Sequence, residues 1–267
     1  MFKRTRILAY TLVLGACGGE FSDSSEPKTS ILTDQETQAH IRAVSAKIEA
    51  IKPSLASVSW VYLGHPVAAE RIAVCGDGRL YALNVDRTLW VNRASGDDRG
   101  WRYIDWPSYA QQITCANNTL FAFNADRTLW RNDGSDSAVR WTHVGTPSGA
   151  KQITGNSPFG AVAAVLYALN DDQTLWRSAT GVDSSWEYLG RPVLADRIAA
   201  GFTWPLTESV FALNFDKGLY RNDGGGSDAS WRYVELAGAA VEIVAADSST
   251  IYALNYDHTL WRGRLSR

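Results

Sequence analysis

An all-β fold is predicted here, a five-bladed β-propeller of four-stranded antiparallel blades, on three observations. A hairpin recurs five times: LYALNVDRTLW (Leu80 to Trp90), LFAFNADRTLW (Leu120 to Trp130), LYALNDDQTLW (Leu166 to Trp176), VFALNFDKGLY (Val210 to Tyr220) and IYALNYDHTLW (Ile251 to Trp261). Each copy is accompanied by an Ile-containing strand and by a Trp-led segment beginning at Trp60, Trp101, Trp141, Trp186 or Trp231. The period, in the low forties, holds short strands only, and one such sheet cannot bury both of its faces without neighbours. Finally, the array opens on a Trp-led strand and closes on Thr259-Leu260-Trp261, so its ends are circularly offset. Pairing the first strand with the last removes the free edges of an open array and predicts a closed ring with an N-terminal clasp.

The elements follow in chain order. Residues 1–16 read as a signal peptide, with Lys3, Arg4 and Arg6 ahead of an apolar stretch, Ile7 to Leu14, that is too short to span a bilayer. Leu14-Gly15-Ala16-Cys17 resembles the bacterial lipobox, which implies that Cys17 is the lipid-attachment residue of an exported chain; a plain secretory signal with an incidental Cys17 is the alternative. Gly18 after that cysteine implies, in the Gram-negative sorting pattern it resembles, the outer membrane or cell surface. Residues 17–31 are polar, acidic and Ser-rich, a flexible tether. Over 32–52, capping-box spacing at Thr33 to Glu36 and apolar residues at Ile41, Val44, Ile48 and Ile51 predict one amphipathic α-helix, stopped by Pro53. Its stripe (33–51) either packs on the propeller or docks another protein.

The propeller is expected over 58–267. In the second repeat Gln112-Ile113-Thr114 is the first strand, Leu120 to Asn124 the second, Thr128 to Arg131 the third and Trp141 to Val144 the fourth. Asn-x-Asp between the second and third strands suits a tight hairpin, because Asn and Asp tolerate positive φ and bond nearby backbone. Asp-rich loops such as Asn132 to Asp136 and Asn222 to Asp228 lack the ligand spacing of an EF-hand and read as solvated turns, so no metal or other cofactor is expected. Blade sheets are covered on both faces, which accounts for Trp, Tyr, Leu and Ile on both sides of the alternation. Nine of the eleven Trp occupy repeat positions, so packing is their first duty.

The order Trp-x-x-(Ile/Leu/Val)-Gly, Ala-x-x-Ile, Leu-Tyr-Ala-Leu-Asn, Leu-Trp-Arg, running from Trp60 to Arg264, resembles the tectonin and tachylectin-type β-propeller lectins. That resemblance implies several carbohydrate sites per ring, commonly between adjacent blades. This chain departs from the pattern at Val91, where the other copies have Arg, and at Tyr220, where they have Trp. It also carries Asp105 and Glu235 where the other Trp-led strands end in Gly, which implies fewer than five sites.

Sugar recognition needs polar side chains facing hydroxyls and an aromatic under the apolar ring face. The recurring pairs at the hairpin tips, Asp86-Arg87, Asp126-Arg127, Asp172-Gln173, Asp216-Lys217 and Asp257-His258, are the ligand-binding candidates; the competing reading is that each Asp orders its turn. Trp204, with Phe159 and Phe202 in longer insertions, breaks the symmetry and offers one unique site.

Glycans are therefore the expected partner of a lectin-like, surface-tethered ring, which meets the membrane through its lipid alone. A protein-binding scaffold is the alternative, and a five-bladed glycosidase a remoter one. No enzyme is expected: Glu70, Glu187, Glu208, Glu235 and Glu242 form no motif, and the four His show no metal-ligand spacing. A net charge of −2 with no basic stripe excludes a nucleic-acid footprint. Cys75 and Cys115 each stand nine residues before their repeat's Asn, in adjacent blades. An exported compartment permits a disulfide there, whereas equivalent positions on neighbouring blades are often too far apart to bond.

Overall fold

The computed structural model describes residues 57–266 except 67, 94–95, 148, 157–164, 193, 204–206 and 225–229. The signal peptide, Cys17, the tether, the 32–52 helix, Phe159 and Trp204 all lie outside the described residues.

Among the described residues, twenty strands form five four-stranded antiparallel sheets. The first strand, β1 (Val58–Gly64), belongs to the last sheet. Blade 1 runs β2 (Ala69–Val74), β3 (Leu80–Asn84), β4 (Leu89–Asn92), β5 (Trp101–Asp105). Blade 2 runs β6 (Ala110–Ala116), β7 (Thr119–Asn124), β8 (Leu129–Asn132), β9 (Trp141–Gly145). Blade 3 runs β10 (Ala150–Gly155), β11 (Leu166–Asn170), β12 (Leu175–Ser178), β13 (Glu187–Gly190). Blade 4 runs β14 (Ala195–Thr203), β15 (Thr207–Asn214), β16 (Gly218–Asn222), β17 (Trp231–Leu236). Blade 5 is β18 (Ala240–Ala245), β19 (Thr250–Asn255), β20 (Leu260–Leu265) and, as its outer strand, β1, which pairs Val58 with Leu265 and Tyr62 with Trp261.

The alternation of Leu-Tyr-Ala-Leu explains why these sheets need one another. In β3, Tyr81 and Leu83 join a buried cluster with Ile113, Cys115 and Leu120 of blade 2, while Leu80 and Ala82 join one with Val244, Leu254 and Leu260 of blade 5. Three further clusters fill the remaining blade boundaries. Every blade thus buries both faces, and the apolar contact runs round the ring. The third- and fourth-strand aromatics flank these clusters: Trp130 and Trp141 the first, Trp176 and Trp186 that between blades 2 and 3. Polar locks add to the contact. The buried Asp136 carboxylate of blade 2 accepts from Tyr81 Oη at 2.7 Å and from Arg79 and Arg93 of blade 1, so this loop aspartate is an interblade anchor.

The innermost strand of each blade carries a bulge at the same place, between Ala69 and Arg71 and its four equivalents. A bulge re-aims the following side chain. Arg71, Gln112, Gln152, Arg197 and Glu242 all stand opposite the fourth residue of the repeat hairpin, one polar group per blade. Gln112 and Gln152 each bond backbone of the next inner strand: Gln112 accepts from Ile153 N and donates to Lys151 O, and Gln152 accepts from Ile198 N and donates to Ile198 O. Glu242 instead lies 3.3 Å from Arg197 and 3.7 Å from Arg71.

Cys75 and Cys115 are disulfide-bonded across blades 1 and 2, with Cα atoms 5.1 Å apart. Counting from the repeat Asn makes the two positions equivalent. Counting from the inner-strand Ile does not, because Cys75 lies three residues past Ile72 and Cys115 two past Ile113. The offset comes from hairpins of different length, and the two inner strands are direct neighbours around the axis.

Candidate ligand pockets between blades

The hairpin tips are built by their Asp. Asp86, Asp126, Asp172 and Asp257 each accept from the Thr two residues on, through its backbone N at 3.0 Å and its hydroxyl at 2.6 Å. That Thr hydroxyl oxygen accepts in turn from the indole N–H of Trp90, Trp130, Trp176 or Trp261. The motif Asp-x-Thr-Leu-Trp is thus a relay that orients a tryptophan. The Thr hydroxyl holds these four exposed carboxyls below the usual aspartate range, with the Thr backbone N–H adding to it. Such a lowered value contributes stability above the ordinary aspartate range, and the contribution is lost as pH falls through the depressed value. Asp216, lacking a Thr, accepts from Gly218 N at 2.9 Å.

The residues paired with these Asp, namely Arg87, Arg127, Gln173, Lys217 and His258, all adopt φ of 62° to 67°. Several of them reach backbone or acids. Arg127 pairs with Asp171 of blade 3 at 2.7 Å, Lys217 donates to Ala240 O of blade 5, His258 Nδ1 lies 2.7 Å from Ala69 O of blade 1, and Arg87 pairs with Glu70 of its own blade. The structure therefore gives the tip aspartates turn partners, and gives Arg127, Lys217 and His258 interblade ones.

Beside the hairpins lies a recurring pocket that combines two aromatic positions with the Ala and Asn of Leu-Tyr-Ala-Leu-Asn. In blade 2 it is lined by Ala122, Asn124, Trp130 and Trp141, closed by Asp105 at the end of β5 and Trp106 just past it, and encloses about 280 Å³. In blade 3 it is lined by Ala168, Asn170, Trp176, Trp186 and Asp183, about 220 Å³. In blade 5 Ala253, Asn255, Trp261 and Trp60 line about 250 Å³. A third aromatic stacks edge-on outside each third-strand ring, as with Trp130–His143 at 5.4 Å and Trp176–Tyr188 at 5.7 Å. Aromatic walls with a few fixed polar groups are the chemistry of a small polar ligand with an apolar face.

The carboxylates beside the tryptophans of the Trp-led segments, of which Asp105 and Asp183 line pockets, were only half legible in the chain. Asp105 accepts from Trp141 Nε1 at 2.7 Å and Glu235 from Trp60 Nε1 at 2.5 Å. Both stand out in the sequence as departures from Gly. Asp98 and Asp183, which accept from the backbone N of His65 and Thr146, sit three residues before Trp101 and Trp186 in loops that read as solvated. Only the spacing Asp-x-x-Trp signalled them.

The other acids are dispersed. Glu208 bonds Tyr167 Oη and Asn156, with burial pushing its carboxyl up; Glu187 pairs with Arg177; Glu242 lies between two arginines. Among the described residues, no three His, Cys, Asp or Glu are grouped to hold a metal ion.

No family model and no curated protein sequence matches the chain. Among solved structures it is similar to the glutaminyl cyclase of Myxococcus xanthus, at 11% identity over 79% of this chain and 97% of that one, with TM-score 0.51. It is also similar to AofleA from Arthrobotrys oligospora (12%, 79% and 74%, TM-score 0.45) and to the SapL1 lectin in complex with alpha methyl fucoside (19%, 69% and 76%, TM-score 0.42). These likenesses are of fold.

Proposed function

We propose that this propeller is a multivalent, lectin-like carbohydrate-binding module rather than an enzyme, carried on an exported chain anchored by lipid at Cys17 to the outer membrane or cell surface. The observation that carries the binding reading is the repetition of one aromatic-walled pocket between successive blades, with an Asn amide and a carboxylate at its edge. A sugar offers what such a site selects: an apolar face for an indole and hydroxyls for fixed polar groups. The resemblance of the repeat to tectonin and tachylectin-type lectins supports the same reading. The dispersal of the acids among unrelated partners supports binding over glycoside hydrolysis, which needs two carboxyls flanking one bond.

A glycan-array screen of the exported chain, kept soluble by Cys17→Ser, is expected to give saturable binding with more than one site per chain. Trp186→Ala is expected to remove one site, or to weaken the apparent affinity by about tenfold if the sites act together, a loss of about 1.4 kcal/mol. Silence across the array with capture of a protein ligand would replace this reading with the scaffold, and turnover of a glycan would replace it with the enzyme.

The Cys75–Cys115 disulfide supports export, since such bonds persist in oxidising compartments. In the native host, Cys17→Ser is expected to abolish fatty-acid labelling and to move the protein from the membrane to the soluble fraction; unchanged fractionation would overturn the anchor.

A further inference from the structure

The five tryptophans at or near the start of the outer strands divide into two chemical classes. Trp141 and Trp60 donate their indole N–H to Asp105 and Glu235, carboxylates of the preceding blade. Trp101, Trp186 and Trp231 have buried indole N–H groups with no hydrogen-bond partner among the described residues. The division tracks a single position. Asp105, Gly145, Glu235 and Gly64 each stand opposite the Leu that precedes the third-strand aromatic, as does Gly190. The acids of blades 1 and 4 face the outer tryptophans of blades 2 and 5. The glycines Gly64, Gly145 and Gly190 precede the three unpartnered indoles. Gly64 and Gly145 meet a loop carboxylate instead: a Cβ there would lie 2.7 Å from Asp183 Oδ1 at Gly145, and still closer to Asp98 Oδ1 at Gly64. Each loop aspartate bonds the backbone N–H just past the glycine, of His65 or Thr146, rather than the indole.

A buried donor without an acceptor costs roughly 1–3 kcal/mol, and a ligand that supplies the acceptor recovers that cost on binding. Two blades already supply it from within the chain. We infer that the ring takes ligand at three positions, the Trp186 pocket and its repeat equivalents beside Trp101 and Trp231, and that the pockets at Trp141 and Trp60 are self-capped, with Asp105 and Glu235 standing in for an oxygen of the ligand. The inference rests on the carbohydrate reading and narrows it. At Trp101 and Trp186 the ligand group is a neutral hydroxyl, which accepts from the indole N–H and donates to the loop carboxylate. An anionic sugar is disfavoured, because Asp183 in the Trp186 pocket and Asp98 in the loop leading to Trp101 already place negative charge at two of these positions. Because the indole N–H groups of Trp101 and Trp186 are buried, binding there lifts Asp98 or Asp183 from its backbone partner.

The test is indole NMR of the exported chain carrying Cys17→Ser, labelled with 15N at tryptophan, histidine and threonine. Before any ligand, the indole protons of Trp60 and Trp141 are expected downfield of those of Trp101, Trp186 and Trp231, and Asp105→Gly is expected to move Trp141 into the upfield set. Titration with methyl glycosides of fucose, galactose, mannose and N-acetylglucosamine is expected to shift the three open indoles and the backbone amides of His65 and Thr146. Methyl glucuronide is expected to shift none of them. Calorimetry with the strongest of these glycosides should count three sites, and four in Asp105→Gly. An undivided starting spectrum, movement of Trp60 or Trp141 in the unmutated protein, a count of five, or a response to the glucuronide overturns this inference while leaving the carbohydrate reading in place. Movement of no indole by any glycoside overturns both.

Discussion

Glu242→Ala is expected to destabilise the propeller by about 3 kcal/mol, read as a lower urea midpoint at unchanged slope. Glu242 is buried, and burial pushes its carboxyl up while the guanidiniums of Arg71 and Arg197 pull it back down. Removing it leaves two largely buried cations at the centre of the ring without the charge between them. The loss sits at the low end of the range for breaking a buried pair, because Arg197 keeps Asp196 at 3.0 Å and Arg71 keeps Glu70 at 3.9 Å. Replacing all three charges is expected to undo the damage. Arg71→Gln, Arg197→Gln and Glu242→Gln together convert the inner ring to the residue already used at Gln112 and Gln152, whose amides bond the next strand's backbone. That triple variant is expected within about 1 kcal/mol of the parent, since desolvating ions offsets much of what their pairing contributes. A triple variant as unstable as Glu242→Ala would show that the charges themselves hold the ring.

The second large effect is expected from the disulfide. Cys75→Ala with Cys115→Ala should cost about 3 to 4 kcal/mol, the loop-closure entropy returned to an unfolded chain whose cross-link spanned 40 residues. Reduction of the unmutated protein should lower the urea midpoint by the same amount and should leave the double variant unchanged. Intact mass with and without reductant checks that the bond is present before the comparison. An equal response of both proteins to reductant would assign the effect elsewhere.

Much of the architecture was readable in the chain because it rests on repetition. Five copies of one hairpin demand five like environments, and the Leu-Tyr-Ala-Leu alternation requires a neighbour on each side. The Asp of the Asp-x-Thr-Leu-Trp relay was legible as turn chemistry, since an Asx interaction is local and spans two residues. The pocket was less so. Its aromatics were visible, but whether an indole N–H is paired depends on a residue more than thirty positions earlier, as with Asp105 and Trp141. Likewise Arg71, Gln112, Gln152, Arg197 and Glu242 form no motif, because their kinship is a register after a bulge rather than a residue type.

The amino-acid sequence by itself determined the repeat, the blade count, the strand order within a blade and the turns between strands, all of which follow from short-range periodicity and local hydrogen bonding. Tertiary structure alone decided which carboxylate meets which indole, that Cys75 reaches Cys115, and which polar side chains converge at the centre. Those contacts join residues of different blades, and their distances are set by how the sheets pack around the axis, a property that no single repeat contains.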